Sequence, residues 1–89
     1  MEPIVTTILA IIGGVKWLID NISDENEKKK LKAKLAKLQK KYESMDHRTK
    51  VSKKVHDDIV EVEALLKANK NGEASNLLDG VLAAVGLAA

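Results

Sequence analysis

The segment "LKAKLAKLQKKYESM", residues 31–45, decides the fold class, because its large apolar side chains recur at alternating spacings of four and three residues. That spacing places them along one narrow side of an α-helix and is typical of helices that pack as coiled coils. The positions between them are polar, charged or alanine. The segment therefore predicts an amphipathic helix, which we expect over residues 24–45.

A second segment, "VSKKVHDDIVEVEALL" at residues 51–66, has a similar narrow apolar side and predicts a helix over residues 49–69. If the chain reverses at Asp46-His47-Arg48, the apolar residues of the two helices face each other in order. We therefore expect an antiparallel two-helix coiled-coil hairpin with its tip near residues 46–48. Its seam would consist of Leu31, Leu35, Leu38, Tyr42, Val55, Ile59, Val62 and Leu66.

Charges beside the two apolar sides support this pairing. The first helix offers lysines, and the second offers acidic residues, namely Asp57, Asp58, Glu61 and Glu63. Opposite charges that flank an apolar seam favour pairing and set the register. We accordingly interpret the carboxylates as salt-bridge partners of the first helix and not as acid–base catalysts, which need a desolvated cleft.

Two further helices are predicted at the ends of the chain, over residues 3–22 and 73–87. The first carries its aliphatic residues on one half of the helical wheel, and the second has a similar apolar side. Ser23 is the expected N-cap of the helix that follows, and Gly72 the expected stop before the last helix. The adjacent Gly13 and Gly14 suggest close packing of another helix against the first, or a kink.

These elements predict an all-α chain with one domain over residues 1–89. It would consist of an apolar base helix (1–22), a charged helical hairpin (23–70) and an apolar C-terminal helix (71–89).

The end helices carry more apolar surface than two helices need to cover each other. Large exposed apolar patches mark interfaces, so we expect these residues to contact an oligomer or a membrane. Trp17 is a candidate for a membrane-interface anchor, and equally for a side chain that fills the gap over Gly13 and Gly14. The predicted interface comprises Ile4, Ile8, Leu9, Ile11, Ile12, Val15, Trp17, Leu18, Ile19, Leu77, Leu78, Val81, Leu82 and Val85.

Basic residues are concentrated in the middle of the chain. Residues 27–54 carry eleven lysines and Arg48 against three acidic residues, a net charge of +9, although the whole chain has a net charge of only +2. Such a block can be a solvated helix flank, or it can attract phosphates and anionic lipid headgroups. The predicted polyanion contacts are Lys28, Lys29, Lys30, Lys34, Lys37, Lys41 and Arg48.

Several kinds of site are not indicated by the sequence. Cysteine is absent, which excludes disulfides and thiolate metal sites, and no catalytic triad, glycine-rich phosphate loop or cofactor motif occurs. His47 and His56 lack the spacing of a metal site, so we expect them to be exposed without a special role. We expect no metal, no cofactor, no small-molecule substrate and no enzymatic activity. The first residues also lack the basic start of a secretory signal.

Three functions are compatible with these features. The first is a structural or assembly protein whose apolar end helices embed in an oligomer, in a shell such as a virus or phage particle, or in a membrane-associated complex, while the basic hairpin contacts an acidic partner. The second is a membrane-active protein, either holin-like, pore-forming or anchored at a lipid surface. The third is a non-specific binder of polyanions or nucleic acid. Under the first two, the protein would be located in an assembly or at a membrane.

Overall fold

The computed structural model describes residues 3–86, with side chains from Val5 onward, and within these residues it contains four helices and no strand. The prediction of an all-helical chain is confirmed for the described residues, and the predicted helix boundaries within them differ from the observed ones by at most two residues. The predicted end of the last helix at residue 87 lies outside the described residues. The helices are α1 (Pro3–Asp20), α2 (Glu25–Ser44), α3 (Lys50–Lys67) and α4 (Asn71–Ala84).

The N-cap of α2 is Asp24, one residue after the predicted cap, Ser23. The Asp24 carboxylate accepts hydrogen bonds from the backbone N–H groups of Asn26 and Glu27, at 3.0 and 3.1 Å. It satisfies two of the helix's free N–H groups and places negative charge at the positive end of the helix dipole. Ser23, predicted as the cap, lies just before it, so Asp24 is the residue that fixes the start of α2.

The end of α3 also differs from the prediction. Asn69 adopts a left-handed conformation with φ of 61°. The N–H of Lys70 donates to the Leu65 carbonyl at 2.8 Å and that of Asn69 donates to the Leu66 carbonyl at 3.1 Å, which is the Schellman pattern. Asn69 therefore ends the helix, and the predicted stop, Gly72, lies inside α4.

The four helices surround one core in the order α1, α2, α4, α3. The principal packed pairs are α1 with α2, α1 with α3, α2 with α4, and α3 with α4. Helices α2 and α3 therefore lie at opposite corners, and the predicted coiled-coil hairpin is not confirmed. The chain does reverse near His47, but residues 45–49 cross the end of the bundle diagonally. The wide apolar sides of α1 and α4 occupy the space on both sides of the α2–α3 diagonal.

All eight residues of the predicted seam are buried, together with much of the predicted interface. Because α2 and α3 do not cover each other, their apolar sides are free to pack against α1 and α4. The apolar surplus expected from the sequence is thus taken up inside the bundle. The predicted interface residues in this core are Ile8, Ile12, Val15, Ile19, Leu78, Val81 and Leu82.

The remaining interface residues are at the surface or pack at the edge of the core. Trp17 is exposed, and the side chain of Ile4 lies outside the described residues. The others are partly buried against the core, namely Leu9, Ile11, Leu18, Leu77 and Val85.

The two adjacent glycines of α1 have different surroundings. A Cβ on Gly14 would lie 3.1 Å from a carboxylate oxygen of Glu63 on α3, so this side chain packs closely over Gly14. A Cβ on Gly13 would meet nothing within 4 Å. The expectation of close packing therefore holds at Gly14 and not at Gly13.

Candidate functional site

The outer side of α2 is a row of exposed lysines. Lys29, Lys37 and Lys40 are exposed and project on the side opposite to the buried Leu31 and Leu38, because spacings of eight, three and eleven positions return to about the same face of a helix. Among the described residues, no acidic side chain lies within 4 Å of these three ammonium groups. We call Lys29, Lys37 and Lys40 the basic row.

Other lysines of α2 are held by the bundle. The Lys34 ammonium group forms an ion pair with Asp79 of α4 at 3.0 Å and donates a hydrogen bond to the Ser75 hydroxyl at 2.6 Å. Its side chain is only 20 % exposed. Lys28 forms an ion pair with Glu25 at 3.3 Å, one turn earlier in the same helix. Lys34 is therefore a structural link between α2 and α4 and a poor candidate for contact with a polyanion.

The remaining predicted contacts lie toward the edges of this surface. Lys30 is exposed and Lys41 is half-buried. The guanidinium of Arg48 is paired with both carboxylate oxygens of Asp46, each at 3.1 Å. These bonds lower the pKa of Asp46, so the carboxylate stays charged and offsets the charge of Arg48.

Sequence reasoning missed Lys32 and Lys40, although both belong to the same lysine run. Lys32 forms an ion pair with Asp20 of α1 at 2.6 Å, which joins the two helices. The hydrogen bond from Lys32 lowers the pKa of Asp20, and the charges of Lys32, Lys16 and Lys28 add to this effect. Three cations therefore act on one carboxylate, of which Lys32 is its ion-pair partner and Lys28 is also paired with Glu25.

Trp17 projects from α1 beside this junction and is 65 % exposed. Its backbone carbonyl accepts a hydrogen bond from the Asn21 side-chain amide at 2.7 Å. With the ring in solvent, the interpretation that Trp17 fills a gap over the two glycines is wrong. None of the helices within residues 3–86 is long and apolar enough to cross a bilayer.

The predicted charge pairs between α2 and α3 are absent from the ion pairs of the described residues. Two of the four acidic residues of α3 pair within their own helix: Asp58 with Lys54 at 3.4 Å, and Glu63 with Lys67 at 3.7 Å. The cause is the diagonal placement of the two helices, which separates the basic flank of α2 from the acidic flank of α3. This separation leaves the basic row without a partner on α3.

A buried cluster of rings lies where the diagonal connection meets α2 and α3. The Tyr42 hydroxyl lies 2.8 Å from Nε2 of His56, and the Ser52 hydroxyl lies 3.4 Å from the same nitrogen. The His47 ring packs on Tyr42 with 4.5 Å between ring centroids. His56 is only 6 % exposed, so the prediction that this histidine is exposed is wrong. Its position one residue after Val55 places it at the edge of the buried side of α3.

The environment of His56 favours its neutral form. Burial lowers the pKa of His56, the charge of His47 lowers it further, and Asp57 opposes both. The other helices add few charged groups that could act on His56. The segment of α1 from Pro3 to Val15 carries no titratable side chain, and the acidic residues of α4 are Glu73 and Asp79, of which Asp79 is paired with Lys34. The connection adds Asp46 and Arg48, which pair with each other, and the end of α2 adds Lys41 and Glu43. Neutral His56 with its proton on Nδ1 can accept the Tyr42 hydroxyl hydrogen at Nε2.

We expect acid to destabilise the protein through His56. The folded-state pKa lies below the ordinary value of 6.5, so between these two values the unfolded chain binds more protons. The free energy of unfolding should therefore be greatest above pH 6.5 and should decline as the pH falls from 6.5 to the folded-state pKa. Urea unfolding at several pH values between 7.5 and 4.5 measures this decline.

The variant His56→Gln is the control, because it removes the titrating ring and leaves every carboxylate in place. Its unfolding free energy should be nearly independent of pH in this window. If His56→Gln keeps the pH dependence of the parent protein, His56 is not its source. The carboxylates with lowered pKa, on Asp20 and Asp46, act in a separate window below the ordinary value of 3.8.

The fold and these surfaces define a small four-helix bundle in which the exposed side of one helix, α2, is basic. Within residues 3–86, no group of three or more histidine or acidic side chains is placed to hold a metal ion. Comparisons of the chain with protein-family models, curated proteins and solved structures found no match.

Proposed function

We propose that the protein is a non-enzymatic assembly protein that binds an acidic partner through the basic row of α2. The supporting observation is that Lys29, Lys37 and Lys40 have no acidic partner among the described residues, whereas Lys34 is paired across the bundle. Unpaired cations along one helix repel each other, and the anionic groups of a partner relieve this repulsion.

The basic row fits an extended anionic surface better than a single small anion. Lys29 and Lys40 are eleven positions apart, so their backbones are separated by about 16 Å at the rise of an α-helix. Lysine side chains are flexible point charges that do not fix the geometry of their partner. The expected interaction is therefore electrostatic, tolerant of partner shape and weakened by salt.

Replacement of Lys29, Lys37 and Lys40 by glutamine should weaken binding to a polyanion. The triple variant removes three exposed charges without touching the core, so we expect an unchanged melting temperature. It should elute from a heparin column at a clearly lower salt concentration than the parent protein, because fewer counterions are exchanged on binding.

For a matched comparison, the double variant Lys29→Gln/Lys40→Gln is set against a control in which glutamine replaces Lys50 and Lys53, two lysines that likewise have no acidic side chain within 4 Å among the described residues. These lysines are exposed on α3, at the corner opposite to α2, and their loss changes the net charge by the same amount. We expect this control to elute close to the parent protein. Equal losses of retention in both double variants would show that net charge alone determines binding, which would reject the basic row as the site.

A further inference from the structure

We propose that the acidic partner is the surface of an anionic lipid bilayer, bound by the side of the bundle that α1 and α2 form together, with the Trp17 ring inserted among the headgroups. This inference rests on the proposed function, because it uses the basic row as its electrostatic contact. It adds the chemical class of the partner and an apolar anchor.

The first support is the position of Trp17. It is the most exposed of the large apolar side chains that the structure describes. The outer side of α1 around it carries exposed small or uncharged residues, Thr6, Ala10 and Gly13. A tryptophan on such a surface exposes a broad apolar ring with one N–H group, and this combination favours the interface between water and lipid.

The second support is the positive charge next to this ring. Lys16 precedes the ring in α1, is exposed and has no acidic side chain within 4 Å among the described residues. By contrast, Lys32 is paired with Asp20, and Lys28 with Glu25. Helices that pack side by side have axes about 8–10 Å apart, so the side of α2 that faces α1, where Lys32 lies, is next to the outer side of α1. One side of the bundle thus presents an apolar anchor with a basic margin, which is complementary to an anionic surface.

A bilayer matches this surface better than the other acidic partners. The outer side of α1 is built from small residues with a single projecting ring, and a bilayer requires no shape complementarity from it. Non-specific binding of single-stranded nucleic acid uses several aromatic rings for successive bases. Trp17 is exposed, whereas Tyr42, the other aromatic residue of the sequence, is buried in the core.

The sequence contains a single tryptophan, so tryptophan emission, excited at a wavelength where Tyr42 does not absorb, reports on Trp17 alone. We expect a shift of the emission to shorter wavelength when vesicles of phosphatidylcholine and phosphatidylglycerol are added, because the ring leaves water. Vesicles of phosphatidylcholine alone should cause no shift, since the lysines then have no anionic surface to bind.

Sedimentation with the same vesicles tests the two contributions separately. Trp17→Ser should weaken binding to the anionic vesicles about tenfold, since part of the apolar ring surface no longer leaves water. The same variant should keep its retention on heparin. Replacement of Lys29 and Lys40 by glutamine should weaken vesicle binding about fivefold for each lysine and should also lower heparin retention.

The outcomes distinguish the two proposals. Retention on heparin without a spectral shift on anionic vesicles would overturn the bilayer inference and leave the basic row intact. Quenching of Trp17 fluorescence by single-stranded DNA, with no response to vesicles, would overturn it in favour of nucleic acid. A protein that binds neither heparin nor anionic vesicles would reject the proposed function itself.

Discussion

Leu38→Asp should abolish the folded state at neutral pH. Leu38 is 0 % exposed in the middle of α2, so the variant loses a buried leucine and places a carboxylate in the core. Truncation of a buried leucine alone costs about 2–5 kcal/mol, and burial of an unpaired charge adds several more. A domain of this size has a total stability of about 4–13 kcal/mol, so the loss is comparable with the whole. Circular dichroism should show a large loss of helical signal and no cooperative melting.

Ala33→Asp is the control for this experiment. It introduces the same carboxylate in the same helix, but at an exposed position between lysines. We expect its melting temperature to stay close to that of the parent protein. Unchanged helicity and melting in Leu38→Asp would contradict the placement of this side of α2 in the core.

Tyr42→Ala should have the second-largest effect on stability. Tyr42 is fully buried and its ring packs against those of His47 and His56. Because His47 belongs to the diagonal connection, the Tyr42 ring is part of the core on which that connection packs. Truncation of a large buried aromatic side chain costs about 3–5 kcal/mol, and here it also removes a hydrogen-bond partner of His56. Denaturant unfolding at pH 7.5, where His56 is neutral, should show this loss as a lower midpoint.

Tyr42→Phe separates the contribution of the ring from that of the hydroxyl group. The ring remains, and Nε2 of His56 loses its closer partner but keeps the Ser52 hydroxyl at 3.4 Å, so the expected cost is about 1 kcal/mol. Equal losses in the alanine and phenylalanine variants would mean that the ring packs against little, which would contradict its position under the connection.

The sequence predicted which sides of the helices are buried better than it predicted what covers them. The spacing of Leu31, Leu35 and Leu38 depends only on the local helix, so it can be recognised in the chain itself. Whether this side meets α3 directly, or across a core shared with α1 and α4, depends on the volumes of all four helices. The order in which the apolar residues of the two helices face each other is the same in a direct hairpin and in a diagonal pair. It therefore could not identify the diagonal arrangement.

The candidate site was predictable to a similar degree. The basic block is visible in the sequence, but Lys34 differs from Lys37 only because Asp79, 45 positions away, reaches one of them and not the other. The exposure of Trp17 likewise depends on how α1 is rotated in the bundle. His56 is the residue for which a local signal was present, since it follows the buried Val55 and lies one turn after Ser52.

The diagonal connection at residues 45–49 has a consequence for how the protein reaches its native state. The pairs that are neighbours in both sequence and space are α1–α2 and α3–α4, so each half of the chain can collapse locally before the halves dock. The five residues of the diagonal connection then join one half, α1 with α2, to the other, α3 with α4. If the diagonal connection extends before the halves dock, the second half of one molecule can pack against the first half of another, which gives a domain-swapped dimer with the same core.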